Sequence, residues 1–282
     1  MTDIVSLDHT MVLTTDLDAV SRTYEALGFV LTPKAEHRGS PRPGDAEVSL
    51  GTANRYVVFG RNYVELLGIL RQDGPDPWGV RRLAASYEGL RALIFGCTDA
   101  DASNRRLNDA GLRTTGVLAI ERPVRTAEGV AILRAKTTHI LPPHTPEGGI
   151  GLAEHLTPEL AHPREFQNHP NGARELTEVL LVVADAERDG YLARFHTLLE
   201  VAPQDGAFQL PVCRVRIVAV SGYQGRTPPV LPYFAAQTIS VNDVRHARGV
   251  IEGNGYLCEP CDSGFVVRDV HGLDLVFARR AA

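Results

Sequence analysis

The chain has 282 residues, of which 44% are hydrophobic and 22% charged. This composition excludes a disordered or fibrous protein and is sufficient for two hydrophobic cores. The formal net charge is −5 and neither sign forms long runs, so nothing indicates binding to nucleic acid or to a membrane surface. Asp3 stands where an export signal carries basic residues, and no run of about 18 apolar residues follows. We therefore expect a cytoplasmic protein.

The first elements in the chain follow the order strand, helix, strands. A strand is predicted over 4–13, an Asp-rich turn caps a helix over 19–27, and Gly28 ends that helix. Short β-type runs follow at 29–33, 47–50, 55–59 and 63–70. We interpret this stretch as a β-α-β-β-β unit.

The same order begins again three times, near residues 90, 176 and 234. The clearest predicted elements are strands over 90–97, 176–185 and 234–243, a helix over 191–199, and final strands over 256–259, 264–269 and 273–278. One such unit leaves a half-exposed sheet with unpaired edges, so units must pair to bury them. The predicted fold class is α+β, with four βαβββ units paired into two curled mixed sheets.

A Pro- and His-rich stretch over 157–173 separates the second unit from the third. Its X-Pro pairs and its Asn-Gly pair disfavour regular elements. We therefore predict an N-terminal domain over 1–156, a linker over 157–173 and a C-terminal domain over 174–282.

Four cysteines are too few for a disulfide scaffold in a chain of this length. Cys258 and Cys261 form a C-x-x-C motif, but it lacks the second pair expected of a zinc site. We expect reduced thiols, with this pair in a strand or turn.

Several motifs resemble the vicinal oxygen chelate superfamily, which includes glyoxalase I, methylmalonyl-CoA epimerase, extradiol dioxygenases and the fosfomycin and bleomycin resistance proteins. They are the unit order, the Leu-Asp-His sequence at 7–9 and the Tyr-Val-Glu-Leu-Leu strand at 63–67. The segments 51–55, 155–159 and 169–173 are more narrowly similar to its glyoxalase-like domain branch. The resemblance implies the fold but not the reaction, because the superfamily hosts isomerases, dioxygenases, transferases and binding proteins.

His9 and Glu65 are the first candidate ligands. Strand alternation puts His9 on the same face as Leu7 and Met11, and Glu65 on the same face as Tyr63. If both faces line the concave side of a curled sheet, an imidazole and a carboxylate converge on a point suited to a divalent metal. The resemblance implies metal ligands at the same two positions.

The second unit offers Glu154 and His155 in its last strand, while Ala92 stands where a second histidine would align. Alternation allows only one of the two neighbours into the pocket. Glu154 would match the carboxylate that the resemblance to glyoxalase I implies. We favour His155 as the third metal ligand, since it completes two histidines and one carboxylate. Glu154 stays open as a catalytic residue.

Further polar residues could serve a substrate. Four histidines fall between residues 139 and 162. This cluster is compatible either with general acid-base catalysis or with a His-rich surface loop. We predict His139 as a catalytic residue and Tyr63 and His144 as substrate contacts. In the last two units, Glu178 and Asp274 align with the ligand positions without a histidine, which indicates a structural role.

Three functions follow from these residues. The first is a lyase or isomerase in which a divalent ion (Zn, Ni, Co, Mn or Fe(II)) stabilises an enediolate. The second is an Fe(II) extradiol-type dioxygenase. The third is a metal-free binding or resistance protein, which the vacant Ala92 favours. Each takes a small-molecule partner, and a homodimer is left open.

Overall fold

The structure is a computed structural model that describes residues 3–39, 48–126 and 129–279. The first half contains β1 (Ile4–Thr14), α1 (Leu17–Ala26), β2 (Ala35–Gly39), β3 (Val48–Val58), β4 (Tyr63–Ile69), α2 (Val80–Ala84), β5 (Gly89–Cys97), α3 (Ala100–Asp109), β6 (Leu118–Thr126), β7 (Gly129–His139) and β8 (Gly149–His155). The second half contains α4 (Pro158–Ala161), β9 (Ala173–Val183), α5 (Arg188–Leu199), β10 (Ala207–Gln209), β11 (Arg214–Ala219), β12 (Tyr233–Val241), α6 (Val244–Gly253), β13 (Glu259–Cys261), β14 (Gly264–Val270) and β15 (Leu273–Arg279).

The strands form two mixed sheets. The first has the order β2-β3-β4-β1-β5-β8-β7-β6 and the second the order β10-β11-β9-β12-β15-β14-β13. In the first sheet β1 pairs parallel with β4, and β5 pairs parallel with β8. The two halves of this sheet are joined by the antiparallel pairing of β1 with β5. The second sheet repeats this arrangement, with β9 parallel to β11 and β12 parallel to β15. The predicted α+β class with two curled sheets is confirmed.

Some predicted strands differ in extent. The run over 29–33 forms only an isolated bridge, between Leu31 and Val57. The runs over 47–50 and 55–59 belong to one continuous strand, β3, although residue 47 lies outside the described residues. Two strands rather than three follow α5.

Aspartates begin three of the helices, as the Asp-rich turns predict. The side chain of Asp16 accepts a hydrogen bond from the Ala19 amide at the start of α1, and Asp99 accepts from Ala102 at the start of α3. Asp243 caps α6 in the same way. Each cap satisfies amide groups that have no partner within the helix.

The hydrophobic core is continuous across the two sheets. One cluster of buried side chains contains Leu7 and Phe95 from the first sheet together with Phe234 and Phe277 from the second. All strands of the first sheet end by residue 155, and those of the second begin at residue 173. The boundary over 157–173 falls between them, and the division into two domains stays a prediction.

The four cysteines are free thiols, and only Cys261 among them is exposed. Among the described residues, no helix has the length and apolar character needed to cross a membrane.

Candidate active site

A β-bulge in β1 places two neighbouring side chains on the same face. The pairing of β1 with β5 shifts register between Leu7 and His9. Leu7 is fully buried in the shared core, whereas the Asp8 carboxylate contacts the His9 ring, with 2.7 Å between Oδ2 and Nδ1. The prediction that Leu7 shares a face with His9 is therefore wrong. A bulge adds one residue to one strand, so simple alternation fails across it.

His9 and Glu65 meet as the sequence predicts. The parallel register of β1 and β4 puts His9 opposite Tyr63 and Met11 opposite Glu65. His9 Nε2 lies 3.8 Å from Glu65 Oε2, and both side chains are largely buried. Because Asp8 accepts from Nδ1, Nε2 is the nitrogen of His9 that faces the Glu65 carboxylate. A ring nitrogen and a carboxylate oxygen are both common metal ligands.

The other oxygen of Glu65 is held by the side chains of β2 and β3. Asn54 Nδ2 donates to Glu65 Oε1 at 2.6 Å and lies 2.8 Å from His37 Nε2. The ring of His37 also lies 3.9 Å from Glu65 Oε1 through its Nε2. Burial lowers the pKa of His37, the charge of Glu65 opposing this effect. Asn54 thus leaves Oε2 of Glu65 directed at His9.

His155 joins Asp8 rather than the pair of His9 and Glu65. Its Nε2 lies 2.8 Å from Asp8 Oδ1. Asp8, His155 and His162 each offer one ligand atom, and these atoms lie within 4.8 Å of one another. Nδ1 of His155 and Nδ1 of His162 are buried and have no hydrogen-bond partner. We call these three residues the outer donor group.

Electrostatics fixes the charges of the Asp8–His155 pair. Burial alone would raise the pKa of Asp8, but hydrogen bonds to His155 and His9 outweigh it and hold this pKa well below its usual range. Burial alone would lower the pKa of His155, but the hydrogen bond to Asp8 and its charge raise it. Asp8 is therefore an anion that stabilises a proton on His155.

Glu154 lies on the opposite face of β8. Its Oε2 accepts a hydrogen bond from the amide of Ala100, the first residue of α3, at 3.0 Å. The structure therefore does not bring Glu154 to His9 and Glu65. It places this carboxylate at a helix N-terminus, where a negative charge is favourable.

His139 lies beside the site on β7. It pairs across the strands with Gly151, and a Cβ at Gly151 would lie 2.7 Å from His139 Nδ1. The absence of a side chain at Gly151 therefore makes room for this ring. Burial, with a smaller effect of His9, lowers the pKa of His139 to about 4, so the ring is neutral at neutral pH.

Tyr63 lines the site, whereas the backbone of His144 bonds to α5. The ring of Tyr63 stacks on His9 with 4.4 Å between centroids, and the ring of His162 lies 5.8 Å from it in a T-shaped contact. The His144 carbonyl accepts from Arg194 of α5. No contact described for His144 brings it to the site.

Arg122 closes the curl of the first sheet. It comes from β6 at one edge, yet its guanidinium carbon lies 5.8 Å from the ring centroid of Tyr56 in β3, next to the other edge. Strands that are far apart in the sheet order therefore meet around the site.

The corresponding acids of the second sheet already have cations. Arg214 and Arg216 both bond to the carboxylate of Glu178. Arg268 bonds to Asp274 at 2.7 Å. These ion pairs support the structural role expected for both acids.

Sequence reasoning missed Asp8, His37, Asn54 and Arg122 as site residues. Alternation directed Asp8 away from His9, and the other three come from strands outside the two that the resemblance emphasised. His162 stood within the histidine cluster but was given no role. The one available signal was the Asp8-His9 pair in the first strand. Two neighbouring polar residues in a strand put a polar side chain on the face that is otherwise buried.

Comparison with known proteins agrees with this architecture. A family model described as a glyoxalase-like domain matches residues 7–197. The chain is similar to the structure of a hypothetical protein from Staphylococcus aureus, with a TM-score of 0.61 and 12% identity over 97% of this chain and 99% of that one. It is also similar to a mutant 4-hydroxymandelate synthase from Streptomyces coelicolor, with a TM-score of 0.56 and 12% identity over 99% of this chain and 95% of that one.

A fusion of a xylose isomerase-like TIM barrel and 4-hydroxyphenylpyruvate dioxygenase matches with a TM-score of 0.59 and 11% identity, over 100% of this chain and 50% of that one. At such identities these structures share the fold alone. None of the curated proteins compared with the chain matches it.

Proposed function

Because this chain belongs to the glyoxalase-like domain family of the vicinal oxygen chelate superfamily, we propose that it is a metal-dependent enzyme for a small substrate with two neighbouring oxygens. The reaction proposed is of the lyase or isomerase type. The observation on which this proposal depends is the distance of 3.8 Å between His9 Nε2 and Glu65 Oε2.

The two side chains fit a divalent ion. Ligand atoms about 2.1 Å from one ion lie roughly 3 to 4 Å apart, which matches this gap. Asp8 fixes the ring orientation of His9 through Nδ1, and Asn54 fixes the carboxylate of Glu65 through Oε1. Such outer hydrogen bonds orient metal ligands and raise their basicity. The proposed ligands are therefore His9 and Glu65.

A bound divalent ion would polarise a substrate carbonyl and stabilise the negative charge of an enediolate. The chain itself supplies the proton transfer. His155 donates from Nε2 to Asp8, and its buried Nδ1 has no partner. A proton can be held at Nδ1 and exchanged with a substrate carbon or oxygen beside it, since the hydrogen bond from Nε2 to Asp8 raises the pKa of His155 and favours the protonated ring.

Metal content tests the proposal. The purified chain should contain or take up a divalent ion, measured by elemental analysis after dialysis against each candidate metal. His9→Ala and Glu65→Gln should each lose most of it. His196→Ala, an exposed histidine on α5, should retain it. Equal metal content in the chain and in His9→Ala would contradict the proposed centre.

The outer donor group supports a second candidate, an Fe(II) dioxygenase. Asp8, His155 and His162 supply two imidazoles and one carboxylate, the donor set of non-haem Fe(II) oxygenases. Oxygen consumption with a panel of catechols, with the iron-loaded chain and with His162→Ala, tests it. Iron binding that survives His162→Ala and fails in His9→Ala favours the first candidate.

A metal-free binding protein is the remaining alternative. It predicts that no divalent ion binds, whereas small molecules still raise the melting temperature. The same metal titration therefore separates it from both enzymes.

A further inference from the structure

Arg122 is a cation in the site without an anion. Its side chain is partly buried and bonds to the hydroxyl of Tyr56. Within the part of the chain that the structure describes, no carboxylate lies within ion-pair distance of it. By contrast, three other partly buried arginines, Arg55, Arg106 and Arg194, each hold a carboxylate at 3.0 Å or less. A desolvated guanidinium is costly unless it is paired.

The phenols beside Arg122 add further donors. Tyr56 Oη lies 2.6 Å from Asn54 Nδ2 and accepts its hydrogen bond, so the Tyr56 proton is not used there. The hydroxyl of Tyr63 makes no hydrogen bond to any described residue. A phenol carries its proton at neutral pH. Arg122 and the two phenols therefore offer hydrogen-bond donors with few acceptors.

The Glu65 carboxylate offers an acceptor beside these donors. Its Oε2 lies 3.8 Å from His9 Nε2, and no described residue donates a hydrogen bond to this oxygen. A complementary ligand therefore presents an anion with acceptor oxygens to Arg122 and the phenols. It also carries a second group, which donates a hydrogen bond to Glu65 or binds a metal ion held by His9 and Glu65.

We infer that the site binds a small 2-hydroxy carboxylate, with its carboxylate on Arg122 and its hydroxyl toward His9 and Glu65. A planar carboxylate matches the two parallel N–H groups of a guanidinium. The neighbouring hydroxyl can donate a hydrogen bond to Glu65, or bind a metal ion that His9 and Glu65 hold. The position of the hydroxyl rests on the proposed function, whereas the carboxylate contact with Arg122 does not need a metal.

Calorimetric titration of the full chain, with and without Mn²⁺, tests this inference. The probes are lactate and its uncharged methyl ester. The unaltered chain should bind lactate at least tenfold more tightly than methyl lactate. Arg122→Gln should abolish this preference. Arg122→Lys should retain part of it, because lysine keeps the positive charge but lacks the two parallel N–H groups of a guanidinium. Arg245→Gln, which removes an exposed arginine of α6, is the matched control and should bind as the unaltered chain does.

Three results would overturn the inference: no binding of lactate, equal binding of acid and ester, or undiminished lactate binding by Arg122→Gln. Metal content of Arg122→Gln, measured in the same preparations, should equal that of the unaltered chain. A chain that binds no metal but prefers lactate through Arg122 contradicts the proposed metal centre and supports the anion site. The two proposals therefore fail separately.

Discussion

At the scale of single residues, one carboxylate serves two imidazoles. Asp8 accepts from His9 through Oδ2 and from His155 through Oδ1. The first bond sets which nitrogen of His9 faces Glu65, and the second holds the proton of His155. In the proposed enzyme, Asp8 is thus a positioning residue that acts through both imidazole rings.

Asp8→Asn should weaken divalent metal binding by about 10- to 100-fold. An amide offers one acceptor oxygen, so one of the two imidazoles loses its partner and its orientation. Metal titration calorimetry measures the effect. Asp205→Asn removes an exposed acid at a position whose left-handed backbone also suits asparagine, and should bind metal normally. Unchanged affinity in Asp8→Asn would show that Asp8 does not orient a ligand.

At the scale of elements, the site depends on an irregularity in one strand and on the closure of a sheet. The bulge in β1 turns both Asp8 and His9 to the concave face. The curl of the first sheet brings β6 over β3, so that Arg122 reaches Tyr56. Neither device changes the apolar pattern of the strands, which is why the strands were predictable and their relation was not.

Glu154 bonds to the first amide of α3 and is not a ligand of the proposed metal centre. We expect Glu154→Ala to lower the free energy of unfolding by about 1 kcal/mol, because the amide of Ala100 loses a charged acceptor at the helix N-terminus. Glu154→Gln, which keeps an acceptor oxygen, should lose less. Urea denaturation measures both, and elemental analysis should find the same metal content in each. A metal-free Glu154→Gln would instead make Glu154 a ligand.

At the scale of the whole molecule, the two sheets are joined by polar contacts as well as by a common core. Arg194 of α5 makes two hydrogen bonds to the carboxylate of Glu147, which precedes β8 and is fully buried. Burial raises the pKa of Glu147 despite the charge of Arg194. In the segment between the sheets, Asn171 donates to the Leu27 carbonyl at the end of α1.

Arg194→Met should destabilise the protein by about 3 kcal/mol, because it leaves the Glu147 carboxylate buried and unpaired. The double variant Arg194→Met with Glu147→Gln should recover part of this loss, since an amide costs less to bury than a charge. Thermal or urea denaturation of both variants measures the difference. Equal stability of the single variant and the unaltered chain would show that the pair does not join the two halves.

His169 should make stability depend on pH. Its Nδ1 accepts from the Val30 amide and its Nε2 donates to the Val58 carbonyl. Burial lowers its pKa from 6.5 to about 4. The unfolded chain therefore binds a proton at a higher pH than the folded chain does. The contribution of the neutral His169 ring to the free energy of unfolding is therefore fully present above pH 6.5. It is lost as the pH falls toward 4, and the total loss is about 3 kcal/mol.

The pH profile of the free energy of unfolding checks this expectation. His169→Gln cannot titrate, so its stability should fall less steeply between pH 6.5 and 4 than that of the unaltered chain, whatever its stability at neutral pH. Parallel profiles would contradict a buried neutral His169. His246→Gln, which removes an exposed histidine of α6, serves as the control.

The amino-acid sequence by itself determined most of the strands, the Asp-capped helices, the fold class and the expectation that His9 meets Glu65. These follow from local periodicity, from capping chemistry and from the ligand positions that the resemblance implied. Local signals suffice there because each element buries its own apolar face.

Only the tertiary structure decided the remainder of the site. The bulge that adds Asp8, the bond that takes His155 to Asp8, and the reach of Arg122 across the sheet all depend on register and curvature between strands distant in the chain. A strand's side-chain pattern records which residues are buried, but not which distant partner they meet or where one extra residue shifts the alternation. That is why the sequence located the centre of the site and the structure supplied its neighbours.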